Sequence, residues 1–119
     1  MKQVEYASEF GKKNIYGGKC PILYALDIIG QKWKLPVLWH LMEDEKLHYN
    51  ELKRKVGGIT NTMLTKSLRE LEMARLVLRC SYDTVPPSVD YRLTERGRAL
   101  IPALNGLYNW GKEQMEINK

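Results

Sequence analysis

The sequence predicts a mostly α-helical fold with one small β-hairpin. Successive stretches place apolar residues at helical spacing, a Gly57-Gly58 pair interrupts them, and two short strand-like runs from residue 76 onward flank a proline pair. At 119 residues, 44% hydrophobic and 28% charged, the chain has the size and balance of a single domain with its own core.

The elements follow in order. Residues 1–19 hold Gly11, Gly17, Gly18 and four lysines among scattered apolar residues, which predicts a mobile arm with a short ordered piece around 4–10. The domain is expected over 20–119. Ile22, Leu23, Leu26 and Ile29 form the first helical stripe, opened by Pro21 at the first helical position and ended by Gly30. Leu35, Val37, Leu38, Leu41 and Met42 make a second helix over 34–43, with Pro36 tolerated in its first turn. Residues 44–46 are a polar linker, and 50–56 read as a short third helix burying Leu52 and Val56 and stopped by Gly57-Gly58.

Thr60 or Asn61 can cap a fourth helix. Its inward positions are Leu64, Leu68 and Leu71, with Met63 and Ala74 at its flanks, and its outward face carries Thr62, Thr65, Lys66 and Arg69. A strand over 76–82 is expected to turn Leu76, Leu78 and Cys80 inward, followed by Pro86-Pro87 in the connection and a second strand over 89–93. Thr94 caps a last helix whose stripe is Leu100, Ile101, Leu104, Leu107, Tyr108, Gly111 and Met115, bent or restarted at Pro102.

Charge is unevenly placed. The formal net charge is +5, and residues 46–79 contain eight basic and three acidic residues, so the whole excess lies in that segment. A solvated helical surface could carry it; so could a face that binds a polyanion. Patterning favours the second. A short helix, a glycine turn and a helix with a polar, basic outward face have the order of a helix-turn-helix, and the hairpin after it makes the winged variant. Lys66 and Arg69 can reach guanine edges or phosphates, and Asn61, Thr62 and Thr65 can bond phosphate near the helix start or contact bases. Lys53, Arg54 and Lys55 are candidates for backbone contacts.

Cys20-Pro21, Ile29-Gly30-Gln31-Lys32-Trp33, Asn50-Glu51-Leu52, Ile59-Thr60, Leu68-Arg69-Glu70-Leu71-Glu72, Pro86-Pro87 and Tyr91-Arg92-Leu93-Thr94-Glu95-Arg96-Gly97 together resemble the HxlR-type regulators. The resemblance runs from Cys20 to about Gly111. It implies a bacterial or archaeal winged-helix transcription regulator that acts as a homodimer, setting two recognition helices in successive major grooves of a palindromic operator.

Four positions depart from the pattern of that family: Gln31 and Arg75 stand where glycines are usual, and His48 and Ser88 where basic residues are usual. The changes at His48 and Ser88 remove phosphate or minor-groove contacts near the wing. Arg75 makes the usual left-handed helix ending more costly. Arg79, on the first wing strand, either restores a phosphate contact or pairs across the hairpin as an ordinary surface residue.

A domain this small is not expected to bury both terminal helices together with Trp33, Trp39 and Trp110 in one core, which leaves an apolar stripe for a twofold partner. The alternative is that all three tryptophans are core residues. Cys20 falls at the N-cap of the first helix, where unpaired amides and the neighbouring Lys19 favour a thiolate. The resemblance implies an oxidant- or electrophile-sensing role for a cysteine here; a structural cysteine is the other reading. Cys80 reads as core.

Two cysteines 60 positions apart, without a CxxC pair or a matching histidine spacing, argue against a zinc site and against a disulfide scaffold. His40 and His48 lack relay partners, and neither a nucleophile motif nor a glycine-rich phosphate loop is present, so no enzyme, metal or cofactor is expected. Without a membrane-length apolar run or an apolar leader, the chain reads as cytoplasmic. The expected function is DNA-binding transcription regulation. A winged-helix protein-interaction module without DNA binding is the alternative.

Overall fold

A computed structural model describes residues 20–119. The arm predicted for residues 1–19 lies outside them. The chain divides into two compact units, the first ending at Gly30 and the second running Gln31–Lys119. In the first, helix α1 (Pro21–Ile29) starts at an extended Cys20 with Pro21 in its first turn and ends at Gly30. Ile22, Leu23 and Leu26 on it are exposed.

The second unit holds α2 (Lys34–Glu43), β1 (Leu47–His48), α3 (Tyr49–Val56), α4 (Asn61–Met73), β2 (Val77–Tyr82), β3 (Ser88–Leu93), a single-turn α5 (Glu95–Arg98) and α6 (Ile101–Ile117). Helix α2 packs on α3, α4, β3 and α6, which makes it the hub of the unit. The core is built on period-3.6 stripes: Val37, Leu38 and Leu41 from α2, Leu52 from α3, and Leu64, Leu68 and Leu71 from α4 are all buried. Each such leucine contributes about 1.5–3 kcal/mol of burial. Trp39 stacks on Tyr108 of α6, with centroids 4.5 Å apart and planes 6° from parallel.

The hairpin is part of a three-stranded antiparallel sheet in the order β1-β3-β2. Strand β1 was not anticipated, because two residues, Leu47 and His48, are too few to show alternation; they pair with Tyr91 and Asp90.

The inward face of β2 is the reverse of the expected one. Val77 is buried, whereas Leu78 is 50% exposed. Leu76 is buried but precedes the strand, in the turn leaving α4, so alternation begins one residue later. Register places Val77 opposite Leu93 and Arg79 opposite Tyr91 on the core face, and Cys80 opposite Asp90 on the other. Cys80 is therefore half-buried rather than a core residue.

Two further differences concern helix ends. Helix α4 does end in the left-handed conformation without glycine: Arg75 takes φ 64°. The Leu76 N–H reaches the Leu71 carbonyl at 3.0 Å and the Arg75 N–H reaches that of Glu72 at 2.9 Å, the paired bonds of a Schellman ending. The last helical segment restarts: Thr94 caps the short α5, and α6 begins with Pro102 in its first turn.

Candidate nucleic-acid interface

The site begins with how α4 is aimed. Helix α3 starts from an extended His48, whose N–H donates to the Glu51 carboxylate at 2.8 Å. Gly57 and Gly58 then adopt φ of 67° and 76°, a region that carries a steric cost for other residues, and the chain reverses. Ile59 buries itself beneath the turn and Thr60 caps α4, its hydroxyl accepting the Met63 N–H at 3.1 Å.

With Leu64, Ser67, Leu68 and Leu71 buried, Asn61, Thr62, Thr65, Lys66 and Arg69 are all exposed. These five line one shallow concavity of about 420 Å³. The sequence assigns four of them to one helical face, and the fold adds Asn61 to the same rim.

Tyr49 was missed. Its hydroxyl lies 3.1 Å from the Asn61 carbonyl, 3.1 Å from Thr65 Oγ1 and 3.4 Å from Asn61 Oδ1. It ties the first turn of α3 to the first turns of α4. A contact across 12 to 16 residues leaves no trace in local spacing.

Arg79 comes to α4 through the sheet. Together with Thr65, Leu68, Arg69, Glu72 and Tyr91 it lines a second cleft, about 350 Å³, between α4 and the wing. Its guanidinium donates to Ser81 Oγ at 3.0 Å, along its own strand rather than across the hairpin. Lys53 is half-buried, while Arg54 and Lys55 are exposed on α3. Lys55 is paired with Asp44 at 3.4 Å, an exposed contact of small energetic weight.

His48 is not merely a lost base: its Nδ1 donates to the Val89 carbonyl at 2.8 Å, tying β1 to the wing. The wing tip between β2 and β3 carries Asp83 and a fully exposed Val85 but no basic residue.

Ion pairs brace the frame. Lys34, buried in α2, reaches Glu70 of α4 at 2.9 Å, and this hydrogen bond holds the Glu70 carboxyl below the usual carboxylate range. On the wing, Arg92 reaches Asp90 at 3.1 Å and the Tyr82 hydroxyl at 2.9 Å. Burial pushes Asp90 upward, but hydrogen bonds from Tyr82 and Arg92 outweigh it, so the carboxyl is held low. The same Asp90 interaction raises the Tyr82 phenol.

Cys20 occupies the N-cap position of α1 with an extended backbone, as expected, and its thiol is free and half-buried. Among the described residues, no cluster of three or more His, Cys, Asp or Glu side chains could hold a metal, and no helix is long and apolar enough to cross a membrane.

Comparison with known proteins agrees with this architecture. Residues 28–119 match the HxlR-like helix-turn-helix family. The regulatory protein MalR of Fusobacterium mortiferum is 46% identical over 102 residues, covering 86% of this chain and 94% of its own. The HTH-type transcriptional regulator YybR of Bacillus subtilis (strain 168) is 44% identical over 108 residues, covering 89% and 86%. Among solved structures, the redox regulator HypR in its oxidized form superposes with a TM-score of 0.75 at 44% identity, over 79% of this chain and 96% of that one. A helix-turn-helix with a basic outward face, a wing beside it and relatives of this similarity over nearly the whole chain make one conclusion: this protein belongs to the HxlR family of helix-turn-helix transcription regulators.

Proposed function

We propose that the protein regulates transcription as a homodimer on a palindromic operator, with α4 in the major groove of each half-site. The observation that carries this is the single exposed face formed by Asn61, Thr62, Thr65, Lys66 and Arg69, with Arg79 brought beside it. Thr62, Thr65, Lys66 and Arg69 read base edges or bind phosphate. Lys53, Arg54 and Lys55, on the preceding helix, and Arg79 meet the backbone. The acidic, apolar wing tip takes little part. It acts in the cytoplasm, by binding rather than by catalysis.

Dimerisation uses the terminal helices. On α6, Leu107, Trp110, Met115 and Ile117 are exposed in the single chain, and so, on α1, are Ile22, Leu23 and Leu26; a partner burying these apolar side chains supports the reading. Cys20 then acts as an oxidant-responsive thiol. Its N-cap position and the likeness to a protein named as a redox regulator support that role.

Fluorescence anisotropy tests the reading. DNA from upstream of the protein's own coding region is compared with a scrambled duplex across a salt series, using reduced and peroxide-treated protein. Tighter binding to the upstream duplex with a steep salt slope is expected, with oxidation altering affinity in the wild type and not in Cys20→Ser. Equal affinity for both duplexes overturns sequence-specific regulation. An unchanged affinity after oxidation removes the role of Cys20.

A further inference from the structure

We infer that Tyr49 is a positioning residue for base recognition: its hydroxyl restricts Thr65 to presenting an acceptor and a methyl group to DNA, and so turns Thr65 against guanine. The inference rests on the reading that the outward face of α4 meets base edges.

The argument is one of proton counting. A phenol carries one proton, and three oxygens surround that of Tyr49. The Asn61 carbonyl, at 3.1 Å, can only accept, as can Asn61 Oδ1 at 3.4 Å. Both 3.1 Å contacts become hydrogen bonds in one arrangement only: the Tyr49 proton goes to the Asn61 carbonyl, and Thr65 Oγ1 donates its own proton back to the tyrosine oxygen.

What Thr65 keeps for a ligand is a lone pair and its Cγ2 methyl. Adenine N6 and cytosine N4 offer protons to that lone pair, and the thymine methyl can pack on Cγ2. Guanine shows only the acceptors N7 and O6 in the major groove, so it meets a lone pair with a lone pair. A free threonine hydroxyl would rotate and donate to guanine as readily as it accepts from adenine. Tyr49 acts through Thr65, as a residue of α3 whose hydroxyl is engaged by Asn61 and Thr65. Its ring is half-buried at the start of α3 while its hydroxyl spans the gap to α4, so Tyr49→Phe removes the hydroxyl while keeping the ring.

Selection of duplexes from a random-sequence library by the full chain, followed by sequencing, reads the preference at every base pair of the bound site. The position facing Thr65 is identified as the one whose preference Thr65→Val changes. There the wild type disfavours guanine by roughly fivefold. Tyr49→Phe removes the bias against guanine at that one position, leaves the positions altered by Lys66→Ala and Arg69→Ala unchanged, and moves the thermal midpoint by only about a few degrees. Thr65→Val makes the tyrosine change silent, so the double variant selects the same site as Thr65→Val.

Tyr49→Phe that leaves every preference intact overturns the inference, as does a uniform weakening at all positions, which is the mark of a merely structural role. Thr65→Val that changes no position also overturns it. A wild-type chain that selects no site at all removes the reading of α4 and the inference with it, and is distinguished by that blank result.

Discussion

The Thr94 hydroxyl donates to the Arg75 carbonyl at 2.6 Å and accepts the Gly97 N–H at 3.0 Å, so one side chain joins the end of α4 to the start of α5. The Thr94 N–H adds a bond to the Leu76 carbonyl at 3.0 Å. Gly97 sits so close beneath that any Cβ there would collide with the same Leu76 carbonyl. This clasp holds Arg75 in a left-handed conformation that costs a non-glycine residue about 1–2 kcal/mol, and it sets where the wing leaves α4.

Removing the clasp lowers stability. Thr94→Val loses both the cap of α5 and the tie to Arg75, and urea denaturation should show a loss of about 1–2 kcal/mol. Arg75→Gly, which frees the strained position, should gain up to ~1 kcal/mol. A destabilised Arg75→Gly would show that the arginine side chain contributes more than its backbone costs.

Truncations on α4 and on the wing should separate by kind. Lys66→Ala and Arg69→Ala each cost about 1–3 kcal/mol of operator affinity and relax specificity at one position if they read bases. Arg79→Ala, as a phosphate contact, weakens operator and scrambled duplex alike and lowers the salt slope by about one. Equal losses on both duplexes for Arg69→Ala would reassign it to the backbone.

Acid should loosen the frame at two braces. Glu70 and Asp90 both titrate below their ordinary values in the folded protein, Glu70 because of Lys34 and Asp90 because Tyr82 and Arg92 outweigh its burial. A lowered folded-state pKa means their stabilisation is complete above the unfolded carboxylate value of about 4 and is lost as pH falls through the folded value. The melting temperature should thus be level between about pH 7 and 5 and fall below ~4. Glu70→Gln and Asp90→Asn should start lower and fall less steeply. A wild-type acid limb no steeper than that of the variants would remove these groups as its source.

The exposed stripe of α6 should govern assembly. Leu107 and Trp110 are 52% and 63% exposed in the single chain, and a charge among them should not survive burial against a partner. Sedimentation at micromolar concentration is expected to give dimers for the wild type and monomers for Leu107→Asp. Monomeric wild type would remove the dimer, and with it the palindromic operator.

Much of this protein was legible as local pattern. The stripes through Leu38, Leu52 and Leu64 located helices within a residue or so, because a 3.6-residue period is written in neighbouring positions and needs no partner to be seen. The glycine pair marked the turn for a similar reason, since positive φ is a property of one residue. The outward set on α4 followed from the inward one.

What tertiary structure alone decided was everything that depends on residues far apart in sequence. The inward face of β2 was set by Leu76 being drawn into the turn that Thr94 clasps, a constraint 19 residues away, so counting alternation from Leu76 gave the opposite face. Arg75 keeps a glycine's conformation because its surroundings impose it. Arg79 reached the cleft between α4 and the wing only through its pairing with Tyr91, and Tyr49 reached Thr65 only when the helix-turn-helix closed. Local sequence determined which elements form and which face of α4 is polar; long-range packing, whose partners no periodicity encodes, decided how those side chains are held.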